Sequence, residues 1–259
     1  MLSTLSSYSA IAQNLDRWLE TTSRAPAAKR ESAYYLANIE KVKSIDDLLD
    51  NRRLFAYAMK AFGLDDMVYA KAFMRKVLTE GIDRRDSLAN KLADPRFREF
   101  AATFNFARYG QATTVFDRTR AETVERYVRQ SLEEKAGQQN EGVRLALYFA
   151  RKAPQLTGVY GILADRSLLK VVRVVLNIPA ETGMMDIDKQ AQMIGDRLKI
   201  DDLKDAAKLR TFIERFTTLW DMENAQTAQM PANLRIGFSQ VAISPDVLAN
   251  IQSLKRGGA

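Results

Sequence analysis

Histidine and cysteine are both absent from the 259 residues. With them go the side chains that carry most proton transfer near neutral pH, thiol nucleophilicity and most transition-metal ligation. No disulfide framework can form, although a cysteine-free chain can work inside or outside the cytosol. Long apolar runs are missing too. The greasiest stretch, residues 168–178, is broken by Lys170 and Arg173 and falls short of the roughly 20 residues that a membrane-spanning helix needs. Met1 to Ile11 carries no Lys or Arg ahead of its apolar residues and no unbroken apolar core, so a cleavable secretory signal is not expected. The chemistry left open is that of carboxylate pairs, of Ser with Lys, or of an Arg and Lys cradle for phosphate.

What the chain does contain is charge and helical periodicity. Lys and Arg outnumber Asp and Glu by 39 to 32, a balance that invites a nucleic-acid reading until its distribution is considered. Divided after residues 44, 100 and 152, the four segments carry net charges of +2, +1, +3 and +1. Basic and acidic residues alternate as they do on solvated helix faces, with no basic stripe, so nucleic-acid binding is not expected.

Apolar residues recur at helical spacing almost throughout, which predicts an all-α multi-helix bundle. Ser44 stands as an N-cap ahead of Ile45, Leu48 and Leu49; Leu54, Phe55, Ala58 and Phe62 continue the face, and Gly63 takes the place of a C-terminal glycine. The spacing predicts a second helix over Met67 to Leu78, closed by Gly81, and Asp94 with Pro95 reads as cap and first turn of a third. From Thr119 to Lys152 one pattern runs on, about 50 Å if unbroken, but Gly137 and Gly142 flank Gln138, Gln139 and Asn140. A break and a continuous helix are both consistent with that stretch.

Beyond Pro154 the pattern returns. Leu49, Asn51, Arg52, Leu54, Ala58, Phe62, Gly63 and Leu64 match Leu163, Asp165, Arg166, Leu168, Val172, Leu176, Asn177 and Ile178 at an offset of 114, and Phe97, Arg98, Phe100 and Phe104 match Leu209, Arg210, Phe212 and Phe216 at 112. Two readings account for this: internal duplication of a three-helix unit, or chance similarity between amphipathic helices. Duplication divides the chain into an N-terminal helical arm (1–44), a first unit (45–118), a connecting helix or helix pair (119–152), a second unit (153–226) and a C-terminal arm (227–259).

No motif in the chain announces a reaction. Ser167 and Lys170 have the Ser-x-x-Lys spacing of penicillin-recognising enzymes but lack the companion motifs, and Lys170 interrupts an apolar helix as a snorkelling surface residue does. The doublets Asp46/Asp47, Asp65/Asp66 and Asp201/Asp202 stand where helices start and the macrodipole favours negative charge; Asp186 and Asp188 lack the further oxygen ligands of a calcium loop. Neither Gly-x-Gly-x-x-Gly nor a P-loop occurs. No catalytic residue, metal ligand or cofactor site is therefore assigned. A carboxylate pair drawn from distant parts of the chain stays open as the basis of an alternative, a hydrolase with its site between two helical lobes.

The ends differ from the middle. Met1 to Asn14 is rich in Ser, with spaced apolar residues that fit a frayed or partner-dependent helix. After a linker-like stretch, Leu234, Ile236 and Phe238 alternate with Arg235 and Gly237 in a weak strand pattern, allowing at most a short strand pair near 234–243 before a last helix from Ser244. Either arm can lie in a groove of its own domain or dock on another chain. In the second case Leu5, Tyr8, Ile11, Leu234, Ile236 and Phe238 are the contact residues.

Residues 34–39, 44–62, 121–134 and 167–179 together resemble an uncharacterised bacterial family, a domain of unknown function often encoded among flagellar genes. The resemblance covers most of the chain and implies a flagellar or motility context with no catalytic residues to carry over. The resulting expectation is a non-enzymatic, flagellum-associated protein that acts through protein contacts or self-association, as structural part or assembly factor, in the cytoplasm or on the flagellum.

Overall fold

The computed structural model describes residues 3–229, and every element among them is helical. Met1–Trp220 make one compact unit and Asp221–Ala259 a second. The expected strand pair, the last helix and the C-terminal arm from residue 230 lie outside the described residues.

Three helices lead in: α1 (Thr4–Ala12), α2 (Leu15–Arg24) and α3 (Pro26–Ile39). Ser44 closes a capping box with Asp47 at the start of α4 (Ile45–Asp50), a reciprocal satisfaction of orphan N–H groups that fixes a helix start. Asn51 then caps α5 (Arg52–Ala61). Met67 belongs to a 3-10 turn, Asp65–Met67, and not to the following helix; α6 (Lys71–Glu80) begins only after Ala70 leaves helical geometry. α7 (Leu88–Lys91), α8 (Pro95–Thr103) and α9 (Phe106–Tyr109) complete the first half.

The long central pattern is broken. α10 (Ala121–Gln139) ends at Asn140, whose backbone is extended and whose side-chain oxygen accepts from Gly142 N at 2.8 Å to start α11 (Glu141–Lys152). Glu133 meets Arg151 and Gly137 lies against Arg144, so the two helices run antiparallel and the chain reverses on one residue. A side chain at Gly142 has no room: its Cβ would stand 2.4 Å from Trp220 Cδ1 and 2.9 Å from Thr4 Cγ2. The glycines flanking the break thus serve close packing around the turn.

α12 (Val159–Leu163), α13 (Arg166–Leu176), α14 (Ile187–Gly195) and α15 (Ala206–Gln229) follow. Two hydrophobic cores result. The first gathers buried residues from Ala28 to Phe106 together with Tyr127; the second gathers Tyr8, Ile11 and residues from Leu132 to Phe216. α10 passes from one to the other, and the α10–α11 hairpin is their shared spine, with α5 packed on α10 and α13 on α11.

The segments at the 114-residue offset share more than letters. Asn51 and Asp165 both cap their helices from the side chain, to Leu54 N and Leu168 N. Both helices end in Schellman motifs: Gly63 at φ 69° with Leu64 N on Met59 O, and Asn177 at φ 51° with Ile178 N on Arg173 O. Leu54 and Leu168 are buried, as are Phe104 and Phe216. The copies diverge at their ends, for Phe104 follows the last turn of α8 whereas Phe216 sits inside α15. We propose that the repetition is a duplication, with each copy docked on its own arm of the hairpin.

Glu133 lies between the two helices of that hairpin, facing the last turn of α11, and is 1% exposed. Its Oε1 accepts from Arg129 Nε and Arg151 Nε at 2.9 Å, and its Oε2 from Arg151 Nη2 at 2.7 Å. Replacing Glu133 by Gln strips two partly buried guanidinium groups of their counter-charge. A loss of about 3–5 kcal/mol is expected, measured as a lowered urea midpoint. Superposing residues 45–106 on 159–220 in an experimental structure should bring Leu54 over Leu168 and Asn51 over Asp165; a different helix order under that alignment overturns the duplication.

Candidate functional site

The sequence proposed contact residues at both ends. Leu234, Ile236 and Phe238 lie outside the described residues. Tyr8 and Ile11 are buried in the second core, and Leu5 is half-buried on the same helix. α1 packs on α11, and Thr4 Oγ1 accepts from Asn140 Nδ2 at 2.8 Å beside the glycine that admits the close approach. Burial raises the Tyr8 hydroxyl above its ordinary pKa, with the Arg129 charge opposing. Tyr8 and Ile11 therefore pack in the chain's own core, and α1 carries a side-chain N-cap from Ser3.

Between the two cores lies a cleft of about 720 Å³. One wall carries Asp94 and Arg96, the other Tyr148, Asp165 and Ser167, and α10 supplies Gln130 and Glu134. This is where a hydrolytic carboxylate pair would be sought. Each sheltered carboxylate there is already engaged. Asp165 caps α13, its Oδ1 accepting from Ser167 N at 2.8 Å, while its Oδ2 accepts the Tyr148 hydroxyl at 2.5 Å. Asp94 holds Arg96 at 2.7 Å, and Arg96 also donates to Gly63 O. Glu134 pairs with Lys60 at 2.5 Å. Burial, and then the negative charge of Asp165, push the Tyr148 phenol far above its ordinary pKa, so it stays a hydrogen-bond donor. The polar groups of the cleft stitch helices together and leave no sheltered, unengaged carboxyl pair among the described residues.

The other candidates fall the same way. Ser167 borders the cleft without a hydrogen bond to Lys170, whose ammonium stands 4.8 Å from the Trp220 ring centroid. The acidic doublets open an α-helix at Asp46 and 3-10 turns at Asp65 and Asp201, and Asp186 caps α14. Among the described residues no three carboxylates gather as a metal site would require.

Two surface features of the second core remain. Met184, ahead of α14, is 95% exposed, Ile187 in its first turn 55%, and Tyr160 on α12 55%. The Tyr160 hydroxyl donates to Asp188 Oδ1 at 2.6 Å, which holds its ring beside that turn. At the other end of α14 is a groove of about 680 Å³ with Leu176 and Phe212 in its lining and Arg197, Lys199, Lys208 and Arg215 among its polar groups. Sequence reading missed this groove because its cations alternate along the chain with Asp196, Asp201, Asp202 and Asp205. The missed signal was the face of α15 formed by Lys208, Phe212 and Arg215, at positions i, i+4 and i+7.

Residues 61–209 match the family described as protein of unknown function (DUF1217). The chain is similar to a protein of Agrobacterium tumefaciens, AGR_C_984, whose X-ray crystal structure was a structural genomics target: 44% identity over 86% of this chain and 97% of that one, with a TM-score of 0.80. No curated protein matches the chain. No described helix is long and apolar enough to cross a membrane.

The cleft's wiring separates a structural carboxylate from an idle serine. Asp165→Ala removes a helix cap and orphans the Tyr148 hydroxyl, so a loss of about 1–3 kcal/mol is expected in urea unfolding. Ser167→Ala and Lys170→Ala are expected to stay within about 0.5 kcal/mol of the parent and to leave cellular function intact; loss of function in a folded, normally abundant Ser167→Ala protein would revive the hydrolase.

Proposed function

We infer the role of this chain, which belongs to the DUF1217 family of proteins of unknown function, from its surface: it is a helical binding protein that acts through contacts with another protein and not by catalysing a reaction. One observation carries this reading. The sheltered carboxylates of the cleft are engaged as caps, hydrogen-bond acceptors and ion-pair partners, while Met184 and Ile187 at the start of α14 and Tyr160 on α12 are left in solvent. Large apolar side chains exposed on ordered elements are candidates for a contact surface, and burying each contributes on the order of 1.5–3 kcal/mol. Methionine adds adaptability, since its unbranched thioether fits irregular partners.

The context we propose is the flagellum, as a structural part or an assembly factor. Its support is the resemblance of residues 34–39, 44–62, 121–134 and 167–179 to a family often encoded among flagellar genes.

Capture from motile cells tests both statements. The tagged full chain and a Met184→Asp/Ile187→Asp variant, expressed at equal abundance, are used as baits and the captured proteins identified by mass spectrometry. The parent should hold a flagellar protein that the variant retains at least about tenfold less, and cells carrying the variant should swim poorly. Equal capture by both baits overturns the apolar contact; normal swimming by cells lacking the chain overturns the flagellar context.

A further inference from the structure

We propose that the groove between α13 and α15 is the docking site for an acidic amphipathic segment of a partner protein, with apolar side chains on one face of a helical turn and carboxylates flanking them. The proposal deepens the protein-binding reading given above and rests on it.

The shape comes first. The C-terminal ends of α13 and α14, the 3-10 turn Ile200–Leu203 and the first two turns of α15 enclose a concave space of about 680 Å³, enough for several side chains. Its lining is apolar where it is deepest. Val175 and Leu203 are each 1% exposed, and over them Leu176 and Phe212 are only half-buried, with Phe212 held flat against Phe149 at 5.3 Å between ring centroids. An apolar floor open to water calls for an apolar occupant.

The charge around that floor is one-sided. Arg197, Lys199, Lys208, Arg210 and Arg215 face the groove against Asp196 and Asp202 alone. Lys208 is held by Asp202 at 2.5 Å, and Arg210 reaches Glu214 at 4.0 Å. Lys199 and Arg215 enter no ion pair among the described residues, and Arg197 donates only to Leu176 O at 3.5 Å. Three cations on the rim of an apolar floor are thus left for an anionic partner. Carboxylates of a peptide helix satisfy rim and floor together, because apolar side chains at i and i+4 can enter while acidic residues on its flanks meet the cations. A nucleic-acid backbone would set phosphates over the floor, and a bilayer surface cannot enter a concavity.

Selection against the full chain tests the proposal. A phage library of random 16-residue peptides is panned at low salt, and the enriched peptides are measured by fluorescence anisotropy against the parent and a Lys199→Glu/Arg215→Glu variant, whose fold is checked by circular dichroism. Enriched peptides should be acidic with apolar residues three or four apart. They should bind the variant at least about tenfold more weakly, and exchanging their Glu residues for Lys should reverse that preference. Enrichment of neutral or basic peptides, no enrichment, or equal binding to parent and variant overturns the proposal, as does tighter binding of phosphatidylglycerol vesicles or of a 20-base-pair DNA duplex than of any peptide. Peptides that ignore the charge reversal but are lost with Met184→Asp/Ile187→Asp overturn the groove and leave the protein-binding reading standing.

Discussion

A carboxylate taken out of water costs several kcal/mol unless cations hold it, and Glu133 is held by two. Arg129, one turn before it on α10, and Arg151, across the hairpin on α11, reach both of its oxygens. The pairing holds α10 and α11 in the register that the one-residue reversal at Asn140 sets, since a slip would turn the carboxylate away from Arg151. Everything else is hung on that register. α5 finds its groove on α10, α13 finds its own on α11, and the two cores grow outward from the pair.

The cores differ in how they are filled. In the first, Tyr35, Tyr57 and Tyr127 stack at 4.4 and 3.9 Å between successive centroids, with the hydroxyls of Tyr35 and Tyr57 satisfied by Thr119 O and Ser32. Burying the phenols of Tyr35 and Tyr57 is tolerable because their polar ends keep partners. The second core is more aliphatic, built on Val171, Val172 and Val175 of α13, with the rings of Tyr8, Tyr148, Phe149 and Phe216 among its buried members. Ion pairs tie first to second at the hairpin's flanks: Glu99 of α8 takes Lys152 at 2.6 Å and Arg126 at 3.6 Å. Within the cleft between them the pairs Lys60–Glu134 and Tyr148–Asp165 likewise join neighbouring helices.

Most of the fold was legible because its signals are local. The Ser44 cap, the Asp94–Pro95 start and the C-terminal glycine at Gly63 are decided by a few neighbouring residues, and each stands where the sequence put it. The reversal at Asn140 was ambiguous in the letters, since glycines around a polar triplet fit a kink as well as a turn; the choice was made by Trp220 and Thr4, far away in the chain. The same distance hid the fate of the first helix. Sparse apolar residues at Leu5, Tyr8 and Ile11 read alike whether their partner is another protein or α11 of the same chain. The candidate surfaces were the least legible part, because exposure of Met184 and the gathering of Lys199 with Arg215 are properties of assembled helices.

The burial of α1 in the second core has a consequence for how the chain is made. A ribosome delivers residues in order, and the first core, complete by Tyr127, can condense as soon as its own residues emerge. Tyr8 and Ile11 emerge before all of it, yet their neighbours in the second core extend to Ile213 and Phe216. α1 must therefore wait at least until α11, its main packing partner, has been made before its buried side chains are covered. Loop closure over such a span adds little to the equilibrium cost, which grows only with the logarithm of length, but it sets an order of events: α1 is made ahead of the helix that covers it and is seated only after that helix has formed.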